Sequence, residues 1–295
     1  IRTAMMTSLG GRTLPFFEQL ATDADFRTQP HAASWFIELA RSLGSEANAA
    51  FGLSALKVVV TSDLTLATRS AILSAIGEGL KRRGSSIAKL LVESKADDAT
   101  KTLVTNFFQA SVATAVNADK PTGDRIAAVR ILSLSDFATA SESLAGLLLP
   151  QIDPQLQIAS ANSLGQLDGA DVPKLLLAGW RSHSPAVRRE VVDALLRAGT
   201  RVGSLLDAVQ SGTVQRGDIE RDKKDLLVNH PNSETRDRAK KLLAADIDAN
   251  RAKVIADYQP VLGMTGDAAR GKMVFQQKCS VCHQVAGIGH AVGQN

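Results

Sequence analysis

The sequence predicts an all-α chain, built as an α-solenoid through most of its length, and three observations lead there. From about residue 14 to residue 257 short amphipathic segments follow one another, separated by clusters of Gly, Pro, Ser and Asp. A segment of the same pattern then recurs at a fixed interval in the middle of the chain. The composition, 44% hydrophobic and 22% charged but only 4% aromatic, suits helices packed by small and aliphatic side chains, and almost no β-structure is expected.

The upstream helices fall near Trp35 to Leu43, Ala47 to Val60 and Ala67 to Leu80, in poor mutual register. The central ones align well: Arg125 to Leu132, Gln157 to Leu164 and Arg188 to Leu195 begin 32 and then 31 residues apart. Pro154 and Pro185 precede two of them at matching places, where the first helical turn leaves an N–H unpaired and proline costs nothing. Partner helices lie between, from Asp171 to Trp180 and from Arg201 to Val209. One such helical hairpin cannot bury its apolar face alone, so neighbours must stack to make a continuous core. The pattern resembles the HEAT-like repeat family, although its period is shorter than the roughly 40 to 47 residues of a full unit. Trp35 and Trp180 read as core residues of the array.

From Asn232 the chain becomes more charged, and a long helix is expected to run on toward Tyr258 as a cap or connector. Pro260, Gly263 and Gly266 then interrupt it, so the expected domains are 1–258 for the helical array, 259–265 for a linker and 266–295 for a second unit. Asp267 is placed to cap a new helix through Arg270, Val274 and Phe275 toward Cys279.

Net charge is +4, but acidic residues are interleaved and no block of five or six like charges occurs, so nucleic-acid binding gets no support. No stretch reaches the roughly 18 apolar residues of a membrane span, and the first residues lack the basic and apolar segments of a signal peptide. The chain starts at Ile1 and stops just after a motif, and it reads as an excerpt of a longer protein. Residues 1–265 carry no nucleophile elbow, phosphate loop or paired metal-ligand motif, so the reading is not an enzyme; any dehydrogenase domain would lie upstream of Ile1.

The chemistry sits near the C-terminal end. The chain's two cysteines, Cys279 and Cys282, are three apart, and His283 follows directly. Chance gives this arrangement with odds on the order of 10⁻⁴. Residues three apart on a helical turn share a face, so both sulfurs can form thioethers with one porphyrin, and His283 can then serve as the axial iron ligand. The site is therefore read as covalent attachment of one haem c. A thioredoxin-like Cys-x-x-Cys would want a βαβ setting that these helical flanks lack. A zinc site recruiting Cys279, Cys282, His283 and His290 matches no usual spacing, and adjacent Cys282 and His283 have difficulty reaching one tetrahedral ion. A disulfide between the two cysteines would be a failure of maturation. His31, His183 and His230 stand at helix boundaries and read as solvated or capping residues, while His290, seven residues past His283 in a glycine-rich loop and on what should be the proximal side, is not expected to be the distal ligand.

The run from Gly266 to Gly293 resembles the opening of a class I cytochrome c domain and, more narrowly, the haem-binding domain of the planctomycete and verrucomicrobial type. Gly271 and Phe275 match that family's glycine and aromatic before the attachment site. Gly287, Gly289 and Gly293 match the glycines after it, which the resemblance places in a loop at the haem edge. Gly293 is followed by Gln294 where the family usually has proline. In that family the domain commonly follows HEAT-like repeats, often behind a β-propeller resembling sugar dehydrogenases. The resemblance implies electron transfer, an exported or periplasmic location, and a redox partner or upstream dehydrogenase domain as the electron source. It also implies a methionine sixth ligand beyond Asn295, because Met5, Met6, Met264 and Met273 are badly placed for that role. Two rivals stand beside it: a helical-repeat module whose purpose is to bind a protein partner, and a zinc-bound scaffold without redox activity.

Overall fold

A computed structural model describes residues 8–244, 253–280 and 283–289. Among them the secondary structure is helical apart from one short hairpin, as an all-α reading requires. The helices are α1 (Thr13–Thr22), α2 (Ala24–Arg27), α3 (Ala32–Ser45), α4 (Ala49–Thr61), α5 (Leu66–Arg82), α6 (Ile87–Glu93) and α7 (Asp98–Val116). They continue as α8 (Thr122–Leu132), α9 (Phe137–Gly146), α10 (Pro154–Leu164), α11 (Val172–Leu177), α12 (Pro185–Leu196), α13 (Gly199–Gln210), α14 (Arg221–Val228) and α15 (Ser233–Ala239). After a helical stretch at residues 253–258 comes α16 (Ala268–Lys278). None of the described helices is long and apolar enough to cross a membrane.

The helix starts are written in the sequence as side-chain caps. Asp97, Asp136 and Asp153 accept from the backbone N–H groups of Thr100, Thr139 and Gln155 at 2.7, 2.8 and 2.8 Å, each satisfying a donor that the first turn leaves unpaired. Pro154 and Pro185 occupy the first turns of α10 and α12, as their positions in the sequence suggest.

The chain falls into two compact units that meet between Leu242 and Leu243. This lies upstream of the 258–266 boundary suggested by the sequence. There α15 gives way at Ala239 to a π-helical turn, Lys240–Ala244; residues 245–252 of the expected long helix lie outside the described residues.

In the first unit the helices touch in two runs. In one, α3 packs on α5, α5 on α8, α8 on α10 and α10 on α12; in the other, α7 packs on α9, α9 on α11 and α11 on α13. The repeated segments α8, α10 and α12 are thus consecutive neighbours, and their partners form the second run. Ile131, Leu132, Leu156, Leu164, Val191 and Leu195 are completely buried. Each such side chain contributes about 1.5–3 kcal/mol relative to exposure.

Arginines stitch successive pairs by covering carbonyls at helix ends, where four carbonyls lack intrahelical partners. Arg125 Nε donates to the Ala115 carbonyl at 3.0 Å. Arg201, 7% exposed, donates to the carbonyls of Gly165, at 2.6 Å, and Leu167.

One partner helix is shorter than its sequence pattern. The expected helix to Trp180 ends at Leu177, Gly179 takes a left-handed φ of +74°, and Trp180 begins a separate 3₁₀ turn. The reason is tertiary. The indole is buried, its Nε1 donates to Asp218 at 3.4 Å, and the Arg188 guanidinium lies 5.5 Å from its ring centroid. Trp35 is half-buried, meeting the Phe16 ring edge-on at 6.0 Å.

Candidate functional site

Helix α16 delivers the motif. Asp267 accepts from the Arg270 N–H at 3.0 Å and starts the helix as its sequence suggests, and Cys279 is the residue that ends it. The Phe275 carbonyl receives two N–H groups, those of Cys279 and Ser280, both at 2.9 Å. The His283 N–H then donates back to the Cys279 carbonyl at 2.9 Å. One backbone turn therefore joins the first cysteine to the histidine. Cys279 is exposed and free of any disulfide. Cys282, His290 and Gly293 lie outside the described residues.

Directly after His283 the chain forms a hairpin of two-residue strands, β1 (Gln284–Val285) and β2 (Ile288–Gly289), with Val285 opposite Ile288 and Gln284 opposite Gly289. The turn between them is Ala286–Gly287, at φ of +50° and +77°. Positive φ at both central residues is the signature of a type I′ turn, whose twist matches that of the strands it joins. Gly289 has a φ of +94° and lies against the motif's own backbone: a Cβ there would stand 2.2 Å from the His283 carbonyl oxygen and 2.8 Å from that of Ser280. Gly287 has nothing within 4 Å of the same position. The resemblance gives these two glycines one role in one loop, whereas the structure gives them different surroundings. Gly271, inside α16, also faces open space.

The residues suit a covalent porphyrin. Cys279 presents a free, accessible thiol one backbone turn from an imidazole, and apolar side chains of the same unit face water: Met273 is 56% exposed, Val274 49% and Val285 58%. Such surface is stabilised by being covered. Among the described residues no group of three or more His, Cys, Asp or Glu side chains is placed to hold a metal ion.

The other histidines divide. His31 is exposed and meets the Phe26 ring edge-on at 5.8 Å. His230 Nδ1 accepts from the Asn232 N–H at 3.2 Å, a capping role as expected. His183 departs from the expected solvated position. It is 4% exposed, with Nε2 3.2 Å from the Leu148 carbonyl 35 residues earlier. Since a carbonyl only accepts, Nε2 carries the proton, and Nδ1 is buried without a hydrogen-bond partner among the described residues. No local pattern around Ser182, His183 and Ser184 signals this, because the acceptor comes from another helical pair. Two residues absent from the sequence-based site belong to its backbone: Ser280, which shares the Phe275 carbonyl and lies under Gly289, and Ala286, held in the left-handed turn.

No family model, curated protein or solved structure matches the chain.

Proposed function

We propose that this chain transfers electrons through one covalently attached haem c, held at the start of a cytochrome c-like domain that follows a HEAT-like α-solenoid. The observation that carries the reading is the placement of the chain's two cysteines, three apart with His283 immediately after them. The exposed Cys279 thiol, and the turn that bonds the His283 N–H to the Cys279 carbonyl, support it.

In this reading Cys279 and Cys282 hold the porphyrin through thioethers and His283 is the axial ligand, with Gly287, Gly289 and Gly293 in the neighbouring loop. When bound, such a haem supplies a one-electron couple whose potential is set by the axial ligands and by the burial and hydrogen bonding around them. The protein's own part is positional. The capped α16 fixes where Cys279 leaves the helix, the bond to Cys279 fixes the start of His283, and the exposed apolar side chains beside the motif offer surface that a bound porphyrin would cover. The consecutive packing of α8, α10 and α12 supports a solenoid as scaffold or docking surface. Attachment of this type belongs to an exported setting, with a redox partner or an upstream dehydrogenase domain as electron source. A protein-binding module in which the motif is minor is the second reading, favoured by the same helical packing.

The test is expression with export and c-type haem maturation. The reduced pyridine complex should show the spectrum of a haem with both vinyl groups saturated. After denaturation and acid–acetone extraction the colour should stay with the protein. Cys279→Ser or Cys282→Ser leaves at most one linkage, and His283→Ala removes the axial ligand. Haem released into the organic phase, or none taken up, overturns the proposal.

A further inference from the structure

We propose that Gly289 is a positioning residue for His283: its missing side chain lets the hairpin after the motif close on the attachment turn and so sets where the His283 backbone lies. This rests on the haem reading, since it is the ligand role of His283 that gives its position a consequence.

The contact has three features. First, a Cβ on residue 289 would stand 2.2 Å from the His283 oxygen, 2.8 Å from the Ser280 oxygen and 3.0 Å from the Ser280 Cα. All three are backbone atoms inside the motif, so no side-chain rotation relieves the overlap. Second, His283 is tied on its other side, its N–H bonded to the Cys279 carbonyl at 2.9 Å. A displaced His283 carbonyl therefore strains the bond that joins the histidine to the first cysteine. Third, Gln284 pairs with Gly289 across the hairpin, so the residue that meets the motif is held in register beside the residue that follows the ligand.

Gly287 supplies the control within the same hairpin. Its φ of +77° is close in kind to the +94° of Gly289, so alanine at either place carries the strain of the left-handed region. At residue 287 the new methyl meets open space; at residue 289 it meets the ligand's carbonyl. A purely conformational role for the glycines makes the two substitutions alike, and a positioning role makes them differ.

The experiment compares the unaltered chain with Gly287→Ala and Gly289→Ala, each at full length. In protein made without haem, amide exchange at His283 should be roughly tenfold faster in Gly289→Ala, and less than about threefold faster in Gly287→Ala. In protein carrying covalent haem, the iron–histidine stretching band of the ferrous form should shift further in Gly289→Ala than in Gly287→Ala. Equal effects of the two substitutions, or an unchanged His283 amide in Gly289→Ala, overturn the inference. If the unaltered chain takes up no haem, the haem reading fails while the exchange comparison still decides whether Gly289 sets the His283 backbone.

Discussion

The segment from α10 to α13 and the segment 253–289 draw on similar apolar residues and treat them in opposite ways. In the first, Leu156, Leu164, Val172, Leu176, Val191 and Leu205 are all removed from water. In the second no described residue is buried, Leu262 and Met264 are 84% and 70% exposed, and the partly covered positions are Phe275, Ser280, Ile288 and Gly289 around the motif. The difference teaches where each region's order originates. Stacked helical pairs supply one another's core, while the described residues of 253–289 bury no side chain against one another.

The largest expected effect lies in the stacked region. Leu164, the last residue of α10, has no exposure, so Leu164→Asp buries an unpaired carboxylate and should cost about 4–5 kcal/mol. Urea unfolding followed by circular dichroism, in protein made without haem, measures it. The unaltered protein should there be strongly helical and unfold cooperatively; a weakly helical, non-cooperative chain would erase the contrast. Next is Arg201→Ala, which leaves the Gly165 and Leu167 carbonyls uncovered and should cost about 2–4 kcal/mol by the same measurement.

A smaller effect is set by pH. Burial holds the His183 pKa below its usual 6.5 and Arg188 pushes it the same way, while the Leu148 carbonyl opposes them. The folded state thus keeps the ring neutral where the unfolded chain is already taking up a proton. Stability is fully present above about pH 6.5 and falls as the pH drops from there through the lowered folded value. His183→Gln retains a donor for Leu148 and should flatten the unfolding midpoint between pH 7 and pH 5; an equally steep profile in that variant would assign the slope to other groups.

The smallest effect belongs to the exposed segment. Ala286 sits at a φ of +50°, a cost glycine does not bear, so Ala286→Gly should slow amide exchange in the hairpin by an amount worth about 0.5–1 kcal/mol. No change there would mean that the turn is not what limits the hairpin.

What could be read from the sequence was local. Pro154 and Pro185 mark helix starts because the first turn needs no N–H from them, Asp267 because it caps Arg270 three residues on, and the repeat at 31 to 32 residues tells which helices become neighbours. The motif residues are legible because their chemistry depends on spacing. What could not be read depends on partners far along the chain. The early end of α11 follows from Trp180 reaching Asp218, 38 residues on, and the burial of His183 from a carbonyl 35 residues back. The hairpin is not legible for another reason: two strands of two residues each are too short to show alternation, and Ala286 is not a residue that announces a left-handed turn.

The place where α16 ends has an electrostatic consequence. Peptide dipoles aligned along this helix of 11 residues leave about half a negative charge at its last turn, the end from which Cys279 emerges. A redox centre bonded to Cys279 would sit in that field, which favours whichever state carries more positive charge. Such a centre should give up its electron more readily than the same centre at the opposite end of a helix, so the direction in which α16 runs would tilt the chain toward donating electrons.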